Sequence, residues 1–178
     1  MSEAIREVMR ARFCAPKWAL CFEVQDATGM RATRSADAIA MALWPSLGLE
    51  LIGFEFKVSR ADWLRELKDP SKAETFKRFC DRWYLVTTSR DIVHPGELPA
   101  GWGWLVVKGD RVYTITTAPP LQPEPVSRAF LAALLRRADE NATIDIGASA
   151  PSAEELCPPE AVYDRLTFGG AVTAPVGT

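Results

Sequence analysis

The stretch Leu49-Glu50-Leu51-Ile52-Gly53-Phe54-Glu55-Phe56-Lys57 decides how this chain is read. It is apolar enough to be a buried strand, yet it ends in Glu-Phe-Lys. Side chains alternate along a strand, so Glu55 and Lys57 share one face. Eighteen residues before Glu55 stands Asp37, inside a second apolar segment, Ala36-Asp37-Ala38-Ile39-Ala40-Met41-Ala42-Leu43-Trp44. The turn residues Pro45-Ser46-Leu47-Gly48 join the two segments. As neighbouring strands they can bring the Asp37 carboxylate to Glu55 and Lys57. Charges are seldom fully buried unless they are paired or bind a metal. Two readings follow: a divalent-cation site for phosphodiester hydrolysis, or a plain Glu55–Lys57 ion pair at a strand edge.

Outward from this pair, the chain alternates helix and strand signals. Ser2 followed by Glu3 to Met9 reads as an N-capped helix. Trp18 to Val24 is a strand rich in aromatic and apolar residues, and the polar run Asp26–Ser35 is a loop. After Lys57, Ser59 with Asp62 resembles a capping box that opens a helix through Leu67. Pro70-Ser71 restarts a helix through about Asp81, with Ala73, Phe76, Phe79 and Cys80 on one face. Trp83 to Thr88 is a strand, and Trp102–Lys108 with Arg111–Thr117 forms a hairpin about Gly109-Asp110. Val126 to Ala138 is helical, behind a proline-rich connector over Pro119–Pro125. The order predicts an α/β layer in which helices pack on a central sheet.

Composition narrows the class. At 178 residues, 48% hydrophobic and 25% charged, the chain reads as one ordinary globular domain with a substantial core. The expected organisation is an α/β domain over 1–118, a connector and helix over 119–140, and an acidic, weakly ordered tail over 141–178. Residues 1–138 carry 20 Lys/Arg against 16 Asp/Glu, and residues 139–178 one Arg against seven acids. A mildly basic body permits a nucleic-acid partner without demanding one. Apolar runs are too short for a membrane span and Met1–Arg12 is unlike a signal peptide, so no membrane association is expected. Cys14, Cys21, Cys80 and Cys157 show no Cys-x-x-Cys pairing; reduced and mostly buried thiols in a cytoplasmic protein are the expectation. His94 is the only histidine, which excludes a multi-histidine zinc site.

In the catalytic reading, Asp37, Glu55 and the Phe56 carbonyl hold Mg²⁺ or Mn²⁺, which take oxygen ligands and keep several waters. Lys57 orients or deprotonates an attacking water, or stabilises charge on the phosphate. Glu23, in the preceding apolar strand, is either a third carboxylate of this site or a solvent-facing strand residue. Arg34, Lys72, Lys77 and Arg78 are candidates for contacts to a nucleic-acid backbone, against the alternative of ordinary solvated cations. Trp63, Trp83, Trp102 and Trp104 read as core rather than as base-stacking platforms.

The set Asp37…Glu55-x-Lys57 resembles the PD-(D/E)XK nuclease superfamily. More specifically, Arg34–Ala40, Gly53–Trp63 and Phe79-Cys80-Asp81-Arg82-Trp83-Tyr84 look like the MmcB-type DNA-repair family and related phage or prophage proteins. The resemblance covers about residues 15–110, and Ala36-Asp37 stands where the superfamily has Pro-Asp. It implies a restriction-endonuclease-like mixed central sheet flanked by helices. It also implies Asp37 and Glu55 as metal ligands, Lys57 as catalytic lysine, Glu23 as an associated acid, and DNA as substrate. A homodimer is common among such small nucleases. Two other functions stay open: a non-catalytic nucleic-acid-binding module on this scaffold, and an interaction protein acting through its acidic tail.

Overall fold

The computed structural model describes residues 3–69 and 71–145. Its centre is one six-stranded sheet in the order β1 (Trp18–Gln25), β2 (Ser35–Ala42), β3 (Leu51–Lys57), β4 (Arg82–Thr87), β5 (Trp102–Lys108) and β6 (Arg111–Thr116). β1, β2 and β3 form an antiparallel meander. The pairs β3/β4 and β4/β5 are parallel, and β6 closes the sheet as an antiparallel hairpin with β5. Parallel pairing needs a crossover, supplied between β3 and β4 by α2 (Arg60–Lys68) and α3 (Ser71–Lys77). Helices packed on a central sheet are the architecture expected from the order of elements, and the mixture of parallel and antiparallel pairs is the one the resemblance implies.

Alternation along the strands builds two apolar layers. Ile52, Phe54, Phe56, Tyr84, Val86 and Leu105 face α1 (Glu3–Arg12), which contributes Ile5 and Met9. On the other face Leu51, Ile39, Trp83 and Leu85 meet Trp63 of α2, Ala73 and Phe76 of α3, and Phe130 of α4 (Arg128–Asp145). Trp63, Trp83 and Trp102 are buried, as core residues should be. Trp104 is half-buried, and its indole N–H donates to Thr87 Oγ1 at 2.9 Å. Gly53 admits the Trp83 ring: a Cβ there would lie 2.1 Å from it.

Element ends differ from the sequence reading where the chain must turn. β2 stops at Ala42 and β3 starts at Leu51, because Gly48 and Leu49 both adopt positive φ (76° and 54°) to reverse the chain. α3 ends at Lys77 instead of running to Asp81. Asp81 is pinned to the start of β3: its amide donates to the Leu51 carbonyl at 2.8 Å and its carboxylate accepts from the Leu51 amide at 2.7 Å. The connector is tied down, with Leu121 N–H on the Asp81 carbonyl and Glu124 N–H on the Arg78 carbonyl. α4 starts two residues later than expected and extends to Asp145; its Phe130 stacks on Phe79 at 5.0 Å. The tail beyond Asp145, with Cys157, lies outside the described residues; Cys14, Cys21 and Cys80 are buried. No helix among the described residues is long and apolar enough to cross a membrane.

Candidate functional site

The β2/β3 ladder runs from Met41↔Leu51 to Ala38↔Phe54 and then stops. One further step in that register sets Asp37 opposite Glu55, both on the face covered by α2 and α3. There the Asp37 side chain replaces the ladder: its Oδ2 accepts from the Phe56 amide at 2.7 Å. The two strands part at this point, which leaves a polar recess beside two well-packed strands. The Phe56 ring turns away into the opposite layer, so only its main chain belongs to the site.

Lys57 Nζ lies 2.5 Å from Glu55 Oε1 and 2.9 Å from Glu66 Oε2. Sequence reasoning overlooked Glu66, which sits on α2 and is 9% exposed. The signal was present: Trp63 and Glu66 are three residues apart, hence on one helical face, and that face is the buried one. α2 is fixed through its first turn. The Ser59 hydroxyl accepts from the Asp62 amide at 3.2 Å, which is the expected cap. Arg60 pairs with Glu97 and donates to the Ile92 carbonyl at 2.9 Å, while Glu97 also accepts from the Trp63 indole at 3.2 Å. Arg60 and the bonds from His94 and Trp63 hold Glu97 down to about 2.

The electrostatics of the recess are those of an under-compensated carboxylate pair. Burial first, then the Asp37 charge, pushes Glu55 up to about 7 against the pull of Lys57. Asp37 is raised by burial although the Phe56 amide and Lys57 oppose this. Burial lowers the Lys57 ammonium, but Glu55 and Glu66 outweigh it and hold it above its ordinary value. Each of Asp37 and Glu55 commits one oxygen to a protein donor and keeps a second for which the described residues supply none. Two neighbouring carboxylates, each with one oxygen uncommitted, suit a hard divalent cation. Among the described residues no group of three His, Cys, Asp or Glu side chains gathers as ligands. A cation held by two carboxylates would complete its shell with water, main chain and substrate, the pattern Mg²⁺ favours.

A cavity of about 320 Å³ opens beside the pair, lined among others by Arg34, Glu55, Glu66, Lys72, Phe76 and Trp83. Arg34 reaches it from the β1–β2 loop. Asp26 organises that loop by accepting from Thr33 N–H at 2.9 Å, the Thr33 hydroxyl at 2.7 Å and Arg34 N–H at 3.3 Å. The Arg34 guanidinium is anchored on α3 through the Ser71 carbonyl at 3.0 Å. Lys72 has no ion-pair partner among the described residues.

The structure does not bring every candidate together. Lys77 pairs with Glu74 at 2.7 Å, and Arg78 lies 4.5 Å over the Phe79 ring and 3.9 Å from Glu124. Neither lines the cavity. Glu23 is exposed, with φ of 53°. It pairs with Arg6 of α1 and lies 3.6 Å from Arg137 of α4, while its carbonyl accepts from the Arg137 guanidinium. It fastens two helices to the sheet edge instead of joining Asp37 and Glu55.

No protein-family model and no curated protein matches the sequence. Among solved structures, the SPO1766 protein of unknown function from Silicibacter pomeroyi is similar, with a TM-score of 0.54 and 21% identity. The match covers 83% of this chain and 91% of that one. At that identity the likeness concerns the fold.

Proposed function

We propose that this protein is a divalent-metal-dependent nuclease that hydrolyses DNA phosphodiester bonds, in repair, recombination or phage replication. The observation that carries the reading is the meeting of Asp37, Glu55 and Lys57 where β2 and β3 part. Asp37 and Glu55, with the Phe56 carbonyl, would hold Mg²⁺ or Mn²⁺. When bound, such an ion polarises the phosphoryl oxygen and lowers the pKa of a coordinated water. Lys57 supplies a positive charge beside the phosphate, where negative charge grows in the transition state. Arg34 and Lys72, at the cavity, hold the backbone of the strand; contacts of this kind position it and carry no sequence information. The buried thiols of Cys21 and Cys80, outside any disulfide, accord with a cytoplasmic enzyme. A homodimer would let two such sites act on two strands.

The test is Mn²⁺-dependent cleavage of labelled single-stranded, double-stranded and forked DNA by wild type, Glu55→Ala and Lys57→Ala. Cutting by the wild type alone supports the nuclease. Equal cutting by all three places the activity elsewhere or in a contaminant. One observation favours a second reading: Lys57 is engaged by two carboxylates, which commits its ammonium within the protein. A non-catalytic DNA-binding module predicts salt-sensitive DNA binding that survives Glu55→Ala, with no cleavage under any divalent ion.

A further inference from the structure

We infer that Glu66 is a positioning residue for Lys57: it receives the ammonium that a divalent cation displaces from Glu55, and thereby sets the cation affinity of the Asp37–Glu55 pair. This rests on the proposed reading of Asp37 and Glu55 as cation ligands. Lys57 Nζ bridges Glu55 Oε1 at 2.5 Å and Glu66 Oε2 at 2.9 Å. A cation on Glu55 repels that ammonium, so the two compete for one carboxylate. The cost of moving Lys57 aside depends on what else can hold it, because a buried ammonium without a partner is strongly disfavoured. Glu66 is already within hydrogen-bond distance and needs no rearrangement to take over.

Two further observations suit Glu66 to this part. It makes no other ion pair among the described residues, so its charge is available to Lys57 alone. It also cannot follow the lysine. The helix that carries it is capped at Ser59 and clamped through Arg60 and Trp63 to Glu97, so Glu66 is a fixed anchor. A buried acid on an apolar helix face is otherwise costly and would be replaced at no loss by an aliphatic residue.

Mn²⁺ binding by the full-length protein, read from the electron paramagnetic resonance signal of free Mn²⁺, tests this without any need for cleavage. The expected result is that Glu66→Gln, which keeps an acceptor for Lys57 but loses the charge, raises the dissociation constant about five- to tenfold. In a Lys57→Met background, where no ammonium competes, the same substitution should change it by less than about twofold. Glu66→Asp keeps the charge and serves if Glu66→Gln unfolds; it should bind Mn²⁺ more tightly than Glu66→Ala in the wild-type background and no differently in Lys57→Met. Unchanged binding by Glu66→Gln overturns the inference, as does a loss of equal size in the Lys57→Met background, which would mean that Glu66 acts directly on the cation. Asp37→Asn separates the two levels. Binding abolished by Asp37→Asn but untouched by Glu66→Gln leaves the cation site standing and removes Glu66 from it. No Mn²⁺ binding by the wild type removes both.

Discussion

Glu55→Gln should flatten the pH dependence of stability between about pH 4.5 and pH 7 in cation-free buffer. The carboxyl is only 15% exposed and is raised from 4.5 to about 7 by burial and by Asp37. In the unfolded chain it ionises near 4.5. Between these values the folded protein keeps a proton that the unfolded chain has released, so stability falls as pH rises through the window. Below it both states are protonated and nothing is lost; above it both are ionised and the full penalty stands. The difference, 7 minus 4.5, at ~1.36 kcal/mol per pKa unit, puts the penalty on the order of 3 kcal/mol. Asp37, also raised, adds with the same sign. Lys57 is raised from 10.5, so its contribution is fully present below that value and flat across this window. Urea unfolding in EDTA at steps from pH 4.5 to 7.5 measures the effect. The wild type should lose roughly 2–3 kcal/mol across the series and Glu55→Gln much less. Mg²⁺ or Mn²⁺ at pH 7.5 should restore the wild type and not the variant. Parallel pH curves for the two proteins would refute the argument that Glu55 is a desolvated, under-compensated carboxylate.

Gly53→Ala places a methyl 2.1 Å from the Trp83 ring; overpacking of this kind should cost about 1–3 kcal/mol in urea unfolding, with a loss of Trp near-ultraviolet dichroism. Glu97, held near 2 in the folded protein, contributes stability above its ordinary 4.5 that is lost as pH falls towards 2; Glu97→Gln should therefore lower stability at neutral pH and make acid unfolding less steep. If DNA lies along the cavity, Arg34→Ala and Lys72→Ala should each reduce the slope of log affinity against log salt by about 1. Lys77→Ala and Arg78→Ala, whose cations are engaged with Glu74, Phe79 and Glu124, should leave it nearly unchanged. Fluorescence anisotropy of a labelled strand at several salt concentrations distinguishes the pairs.

The sheet was legible because its strands are short, apolar and β-rich and are punctuated by Gly, Pro and Asp turns. Asp37, Glu55 and Lys57 stood out for a related reason: a charge in an apolar strand needs an explanation, and strand periodicity says which charges share a face. Glu66 was hidden because helical acids are common and usually solvated; only the packing of Trp63 against the sheet shows that its face is buried. The end of α3 was set by a tertiary contact, Asp81 on Leu51, which no local propensity encodes. The separation of Arg34 and Lys72 from Lys77 and Arg78 likewise depends on where a short helix docks. Helical spacing counts Lys72, Lys77 and Arg78 together, whereas the fold gives only Lys72 to the cavity, beside Arg34 of the β1–β2 loop.

Glu23 shows how far alternation can be carried. Its neighbours pair in register, Phe22 with Ala38 and Val24 with Ala36, so an unbroken strand would place it opposite Asp37, as a third acid. Its positive φ takes it out of the ladder instead, while β1 continues to Gln25, at a cost of about 1–3 kcal/mol for a residue other than glycine. The offset is visible at the sheet edge, where Arg6 and Arg137 both converge on Glu23 and join α1 and α4 to β1. A carboxylate turned inward would have added a further negative charge beside Asp37, whose charge already raises Glu55, with Lys57 already shared between Glu55 and Glu66. The backbone distortion therefore does two things at once: it ties α1 and α4 to the edge of the sheet, and it keeps a third carboxylate away from the Asp37–Glu55 pair.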